Sequence, residues 1–202
     1  MHKYGDGMKI KDISSNSTGI SQYRIKESTS QEAQVYRLYG QNELYEDLYL
    51  SMMTNSGESK EIRSIEALEV LEAGNLIFST LSGEATIVSE GHAGYLFTQN
   101  YVRLEVAREQ VDKRYIAFLL NESPFIQKQF RQQLQGSQVV RYSLNVLNHL
   151  ILPSLPSLDI QAAIGNLYYN QLHLRLLKQK VADNEYTLRM NLLKGVNGHE
   201  IC

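Results

Sequence analysis

The stretch Leu71–Arg103, LEAGNLIFSTLSGEATIVSEGHAGYLFTQNYVR, decides the fold of this 202-residue chain. Leu76 to Thr80 and Ala85 to Val88 are short apolar runs, and the intervening LSGE supplies turn residues, so the pair predicts a β-hairpin. Tyr95 to Thr98 and Tyr101 to Val106 continue the series of short strands. The centre of the domain is therefore expected to be mostly β.

Downstream of this stretch the period changes from two to 3.6. Asp112 starts a helix whose face carries Tyr115, Ile116, Leu119 and Leu120, and the chain breaks at Asn121 to Pro124. Pro124 suits the first turn of a second helix, with Phe125, Ile126, Phe130 and Leu134 on its apolar face and Gly136 at its end. The loop from Gly136 to Ser143 is read as joining this helix to a strand. Upstream, Met8 to Ser21 gives a short element that dissolves into a loop, Val35 to Tyr39 has strand alternation, and Leu44 to Met53 forms another short element.

The tail has the clearest repeat. Ile160, Leu167, Leu174, Val181 and Leu188 recur at every seventh position, with Ile164, Leu177 and Leu192 beside them. That is the seam of a helix that supercoils with a partner. Asp159, after the turn PSLPSL, is placed to cap it or to complement its dipole, and Asn170, Asn184 and Asn191 occupy the other core-type position, where they fix register at a cost in stability. Roughly thirty-five helical residues reach about 50 Å, more than a small domain covers. An amphipathic helix ordinarily folds back onto its own domain; here the length favours projection.

Composition narrows the function classes. The single cysteine, Cys202, allows no internal disulfide framework or zinc cluster, and the first residues carry no apolar signal core, which points to a cytoplasmic protein. A formal charge of −2 means that any nucleic-acid face must be a local patch. Cations gather after Arg103, at Arg108, Lys113, Arg114, Lys128, Arg131 and Arg141, although each one alone reads as ordinary surface. There is no GxxxxGK[ST] loop, no GxSxG turn and no HExxH pair, and the five histidines have no acidic or histidine partner at ligand-like spacing. No catalytic or metal-binding residue is assigned.

The segments Leu71, Gly74, Asn75, Leu76, Ile77 and Phe78; Ser79 to Thr86; Gln99, Asn100 and Tyr101; Tyr115 to Leu134; and Ile151 to Ile164 follow one another in a distinctive order. Together they resemble one half of the DNA-specificity subunit of a type I restriction-modification system, and the resemblance covers almost the whole chain. Asn75 stands where the family usually has Asp, and Asp159-Ile160-Gln161 replaces a Glu-Gln start to the helix. The resemblance implies a mixed α/β (α+β) target-recognition domain, mostly β with packed helices, followed by one long C-terminal coiled-coil helix. On this reading residues 1–156 are the recognition domain, 157–195 the dimerisation and spacer helix, and 196–202 a tail.

The family's full subunit carries two recognition domains and two helices, so a chain with one of each resembles a half-subunit that pairs with a second copy. Such a dimer would read double-stranded DNA at a bipartite site, with the helix as a ruler. It would direct methyltransferase subunits using S-adenosylmethionine, and a restriction subunit could join them. This sequence has no adjacent proline pair for the family's Asn-Pro-Pro-aromatic catalytic motif, so methyl transfer belongs to the partner. A fragment of a longer subunit is a further expectation, although the ending GVNGHEIC favours a complete or frame-shortened chain. A protein-interaction module or assembly decoy without specific DNA affinity is the competing class.

Base readout needs donors and acceptors at base edges, with cations and hydroxyls on phosphates. The candidates are Ser79, Thr80, Ser82 and Thr86 in the hairpin, Gln99 and Asn100 beyond it, Gln138 and Arg141 in the later loop, and Tyr36, Arg37 and Tyr39. Each has a structural alternative: turn chemistry for the hydroxyls, tying of loops for the amides, and core packing for the tyrosines. The dimerisation set is Ile160, Ile164, Leu167, Leu174, Leu177, Val181 and Leu188.

Overall fold

The computed structural model describes residues 7–49, 60–107, 109–134 and 142–198. The predicted hairpin is present: β4 (Leu76–Ser79) pairs antiparallel with β5 (Ala85–Ile87). Gly83, at φ 77°, turns the chain between them, and a Cβ there would run into the Tyr142 ring. The other edge of β4 pairs with β6 (Tyr101–Val106), and β6 in turn with β1 (Ser14–Thr18), giving an antiparallel sheet in the order β1-β6-β4-β5. A separate two-stranded ribbon joins β2 (Gln34–Arg37) to β3 (Glu61–Ser64).

Strand β4 is buried on both faces. Leu76 and Phe78 enter the main core with Val102, Leu104, Ile116, Leu120, Ile126 and Phe130, while Ile77 packs opposite with Leu71, Phe97 and Tyr101. Each such side chain contributes about 1.5–3 kcal/mol relative to exposure. Helices cover the first face. Asp112 caps α3 (Lys113–Glu122) by accepting from Tyr115 N at 2.9 Å, and Pro124 opens α4 (Pro124–Leu134), both as the sequence predicts.

Three local expectations change, and a fourth is met in part. α1 (Ile10–Ile13) and β1 occupy the segment read as an element dissolving into a loop, because SSNST pairs with the apolar β6 and needs no hydrophobic pattern of its own. The segment from Leu44 begins within α2 (Gln41–Tyr49); its end at Met53 lies outside the described residues. Residues 95–98 form no continuous ladder, and their backbone pairs through isolated bridges such as Leu38 with Leu96. Past the loop ending at Ser143 comes a helix, α5 (Leu144–His149), rather than a strand, with the Ser143 hydroxyl accepting from Val146 N at 3.2 Å.

The tail is one helix, α6 (Leu158–Gly198), of 41 residues. Its first turns belong to the domain. Gly165 lies so close to α3 that a Cβ would sit 2.6 Å from the Arg114 Cβ, and Tyr169 is buried, its hydroxyl accepting from Ile87 N at 3.1 Å. Gln161, also buried, accepts from Asp112 N and donates to Gln110 O and Pro156 O, which locks the start of α6 to the start of α3. Residues 177–189 are exposed throughout, so the helix projects. No helix among the described residues is long and apolar enough to cross a membrane.

Candidate nucleic-acid interface

The hydroxyls of the hairpin serve the fold. Ser79, Thr80 and Thr86 are buried. Ser79 Oγ donates to Gln41 Oε1 and accepts from the Leu81 and Ser82 amides, Thr80 Oγ1 donates to Asn100 O, and Thr86 Oγ1 lies 3.4 Å from the Tyr169 hydroxyl. Ser82 is half-buried. The tyrosines are core residues as well. Tyr36, 3% exposed, donates its hydroxyl to Glu66 O at 3.0 Å, and Tyr39, 1% exposed, donates to Asp47 Oδ2 at 2.8 Å. Neither lies open to sugars or bases.

Arg37 is exposed on the ribbon, where its Nε is 3.2 Å from Glu61 Oε1. Gln99 is exposed and Asn100 half-buried, on the turn that the Thr98 hydroxyl stabilises through the Asn100 amide. Gln138 and Arg141 lie outside the described residues.

The fold gathers a different constellation around Asn100. A cleft of about 380 Å³ opens between the short 3₁₀ turn Gln22–Arg24, the first turn of α2 and the turn at residues 98–101. Gln22, Gln41, Asn42, Asn100 and Lys60 are among the residues that line it. Tyr39 and Tyr101 form part of its lining. Burial, followed by the nearby Asp47 carboxylate, keeps the Tyr39 hydroxyl protonated far above the ordinary phenol range; burial and then Glu43 do the same for Tyr101. Beside the cleft Tyr23 is 95% exposed, between the exposed Gln22 and Arg24.

Sequence reasoning passed over Gln22, Tyr23, Gln41, Asn42 and Lys60. Their positions fall in three separate stretches of sequence, and only the pairing of the ribbon with the rest of the domain brings them together. Tyr23 carried the one local signal, an aromatic in a polar stretch with no apolar period around it.

A second cluster lies behind the cleft. His92 Nδ1 is 2.7 Å from Asp47 Oδ1 and its Nε2 is 3.2 Å from Glu46 Oε2, while its ring packs edge-on against Tyr39 and Tyr95. The two carboxylates are adjacent on α2, far from His92 in sequence, so spacing alone could not find them. Among the described residues no group of three or more histidine, cysteine or acidic side chains could hold a metal ion.

The seam of α6 divides between two fates. Ile160, Leu167, Leu174, Leu177, Val181 and Leu188 are 42–61% exposed, in one outward stripe. Ile164, read in the sequence with that stripe, packs against the domain's own core beside Tyr168 and Leu172. The reason is geometric: Ile164 shares the face of Gln161, Gly165 and Tyr168, at spacings of three and four residues.

No protein-family model and no curated protein matches the chain. Solved structures do. The HsdS subunit from Thermoanaerobacter tengcongensis superposes with a TM-score of 0.55 at 12% identity, over 90% of this chain and 41% of that one. A chain from a structural study of complex assembly and conformational transition of the type I R-M system gives 0.63 at 14% identity, over 97% and 50%. The type I restriction-modification S subunit from M. genitalium gives 0.51 at 13% identity, over 92% and 43%. This chain thus spans about half the length of the structures it matches. One sheet-and-helix domain carrying one projecting helix is the fold of one half of a type I restriction-modification specificity subunit.

Proposed function

We propose that the chain is the DNA-sequence-recognition component of a type I restriction-modification system. Two copies pair through antiparallel α6 helices and present two domains to a bipartite site in double-stranded DNA. Methyltransferase subunits carrying S-adenosylmethionine, joined for cleavage by a restriction subunit, perform the chemistry, and this chain contributes no catalytic group. The observation that carries the reading is a half-subunit fold whose distal helix leaves an apolar stripe in water; such a stripe calls for a second helix.

The competing reading, a protein-binding module or assembly decoy on the same scaffold, draws on the neutralisation of surface cations. Arg37 pairs with Glu61, Lys26 with Glu66, and Arg103 with Glu69 and Glu105. Phosphate binding depends on cations that face the backbone, so this pairing reduces it.

Single-molecule sequencing of DNA from cells carrying this gene, with and without the gene of its methyltransferase, separates the two. A bipartite methylated motif that requires both genes is the expected result, and a palindromic motif identifies the symmetric dimer. No motif, with both proteins present and associated, selects the decoy.

A further inference from the structure

Among the described residues, several side-chain amides are spent inside the fold. Asn121 and Gln129 act as substitute backbone, each donating to and accepting from one residue, Ala85 and Ile151 respectively, and Gln161 is consumed in the same way at the start of α6. Gln22 and Asn42 are instead exposed, and both line the 380 Å³ cleft together with Asn100 and Lys60. A carboxamide offers one donor and one acceptor in a single plane. In the major groove adenine presents a donor at N6 beside an acceptor at N7, whereas guanine presents two acceptors, O6 and N7, and is matched by two donors. Among the described residues the lining includes no arginine, and its one carboxylate, Glu43, accepts from the Gly40 amide at 2.8 Å.

The flank of the cleft suits a duplex. Tyr23 leaves nearly its whole ring in water, where it is free to pack on a sugar or base, and Arg24 beside it is exposed. Tyr39 and Tyr101 also line the cleft, and their rings meet edge to face at 5.5 Å.

We propose that this cleft is the base-reading site of the domain and that it selects adenine, with Asn42 and Gln22 as the reading side chains and Tyr23 packing beside them. The inference rests on the DNA-recognition reading and names the chemistry of its site.

Selection from a pool of random DNA duplexes by the purified chain in complex with its methyltransferase subunits, followed by sequencing, tests it. The wild type is expected to enrich a motif that contains adenine at a defined position. Asn42→Ala or Gln22→Ala should reduce the preference at that one position about tenfold, the size of one lost bidentate pair, while the other positions and the thermal melting curve stay as they were. Asn42→Arg should move the preference from adenine to guanine. A wild-type motif that both alanine variants leave unchanged overturns the cleft assignment and spares the recognition reading. Equal weakening on all sequences, without a change of motif, makes these phosphate contacts and also overturns it. Enrichment of no motif by the wild type overturns the recognition reading itself.

Discussion

His92 is held by two carboxylates of one helix, with Asp47 Oδ1 at Nδ1 and Glu46 Oε2 at Nε2, and Asp47 accepts as well from the Ser89 amide and the Tyr39 hydroxyl. The groups facing the ring are therefore Asp47, Glu46 and Glu43 from α2, the Ser89 hydroxyl on its own turn, and the rings of Tyr39 and Tyr95. Burial acts to lower the pKa of His92, but the bond to Asp47 and the charges of Asp47, Glu46 and Glu43 outweigh it and raise the value above the ordinary 6.5. A raised pKa in the folded state means that the stabilisation is complete below about pH 6.5 and is lost as the pH climbs through the higher folded value. Thermal melts should show a midpoint that falls from pH 6 to pH 9, and His92→Gln should flatten that slope and lower the acid-side midpoint. A pH profile identical to that of the wild type would remove the triad as its cause. At this scale the sequence was least informative: Tyr36 and Tyr39 look the same on paper whether they face DNA or the core, and burial alone decides.

At the scale of elements, legibility followed period and capping. The hairpin β4–β5, the Asp112 cap and the Pro124 start each depend on neighbours within a few residues, so they were readable. Strand β1 was not, because SSNST becomes a strand only through its ladder with β6. The helix α6 was readable as a heptad seam but not as two faces. Its inward face, Gln161, Ile164, Gly165, Tyr168 and Tyr169, serves the domain, and its outward stripe is left for a partner. Leu174, 42% exposed, lies on that stripe near the point where the helix leaves the domain. Leu174→Asp should convert a dimer to a monomer in light scattering with the melting midpoint almost unchanged, since the side chain adds little to the domain core. A mass that stays dimeric would place the contact between copies on another surface. Ile164→Asp should behave oppositely, destabilising the fold itself, because it introduces a charge against the domain core.

At the scale of the whole molecule, the cleft shows why a site resists sequence reading even when the fold does not. Its walls come from residues 22, 41–42, 60 and 98–101, so its chemistry exists only after the ribbon, α2 and the sheet have assembled. Asn100 was among the candidates read from the sequence; its neighbours in the cleft at positions 22, 41, 42 and 60 were not. The helix, by contrast, sets a dimension that the sequence does state. If two copies pair along antiparallel α6 helices, the distance between their recognition domains is fixed by the number of helical residues between them. Seven extra residues keep the seam in phase, because they preserve the heptad, and lengthen the helix by about 10 Å at 1.5 Å per residue. B-DNA advances about 3.4 Å per base pair, so a heptad inserted after Val181 should widen the spacer of the methylated motif by about three base pairs while leaving both half-sites unchanged. Methylation mapping reads this directly. An unchanged spacer would mean that some contact other than the paired helices sets the distance, whereas loss of all methylation together with loss of dimer mass would mean that the insertion broke the seam. A four-residue insertion is the matched control. It rotates the outward stripe out of phase, and should abolish dimer and motif together.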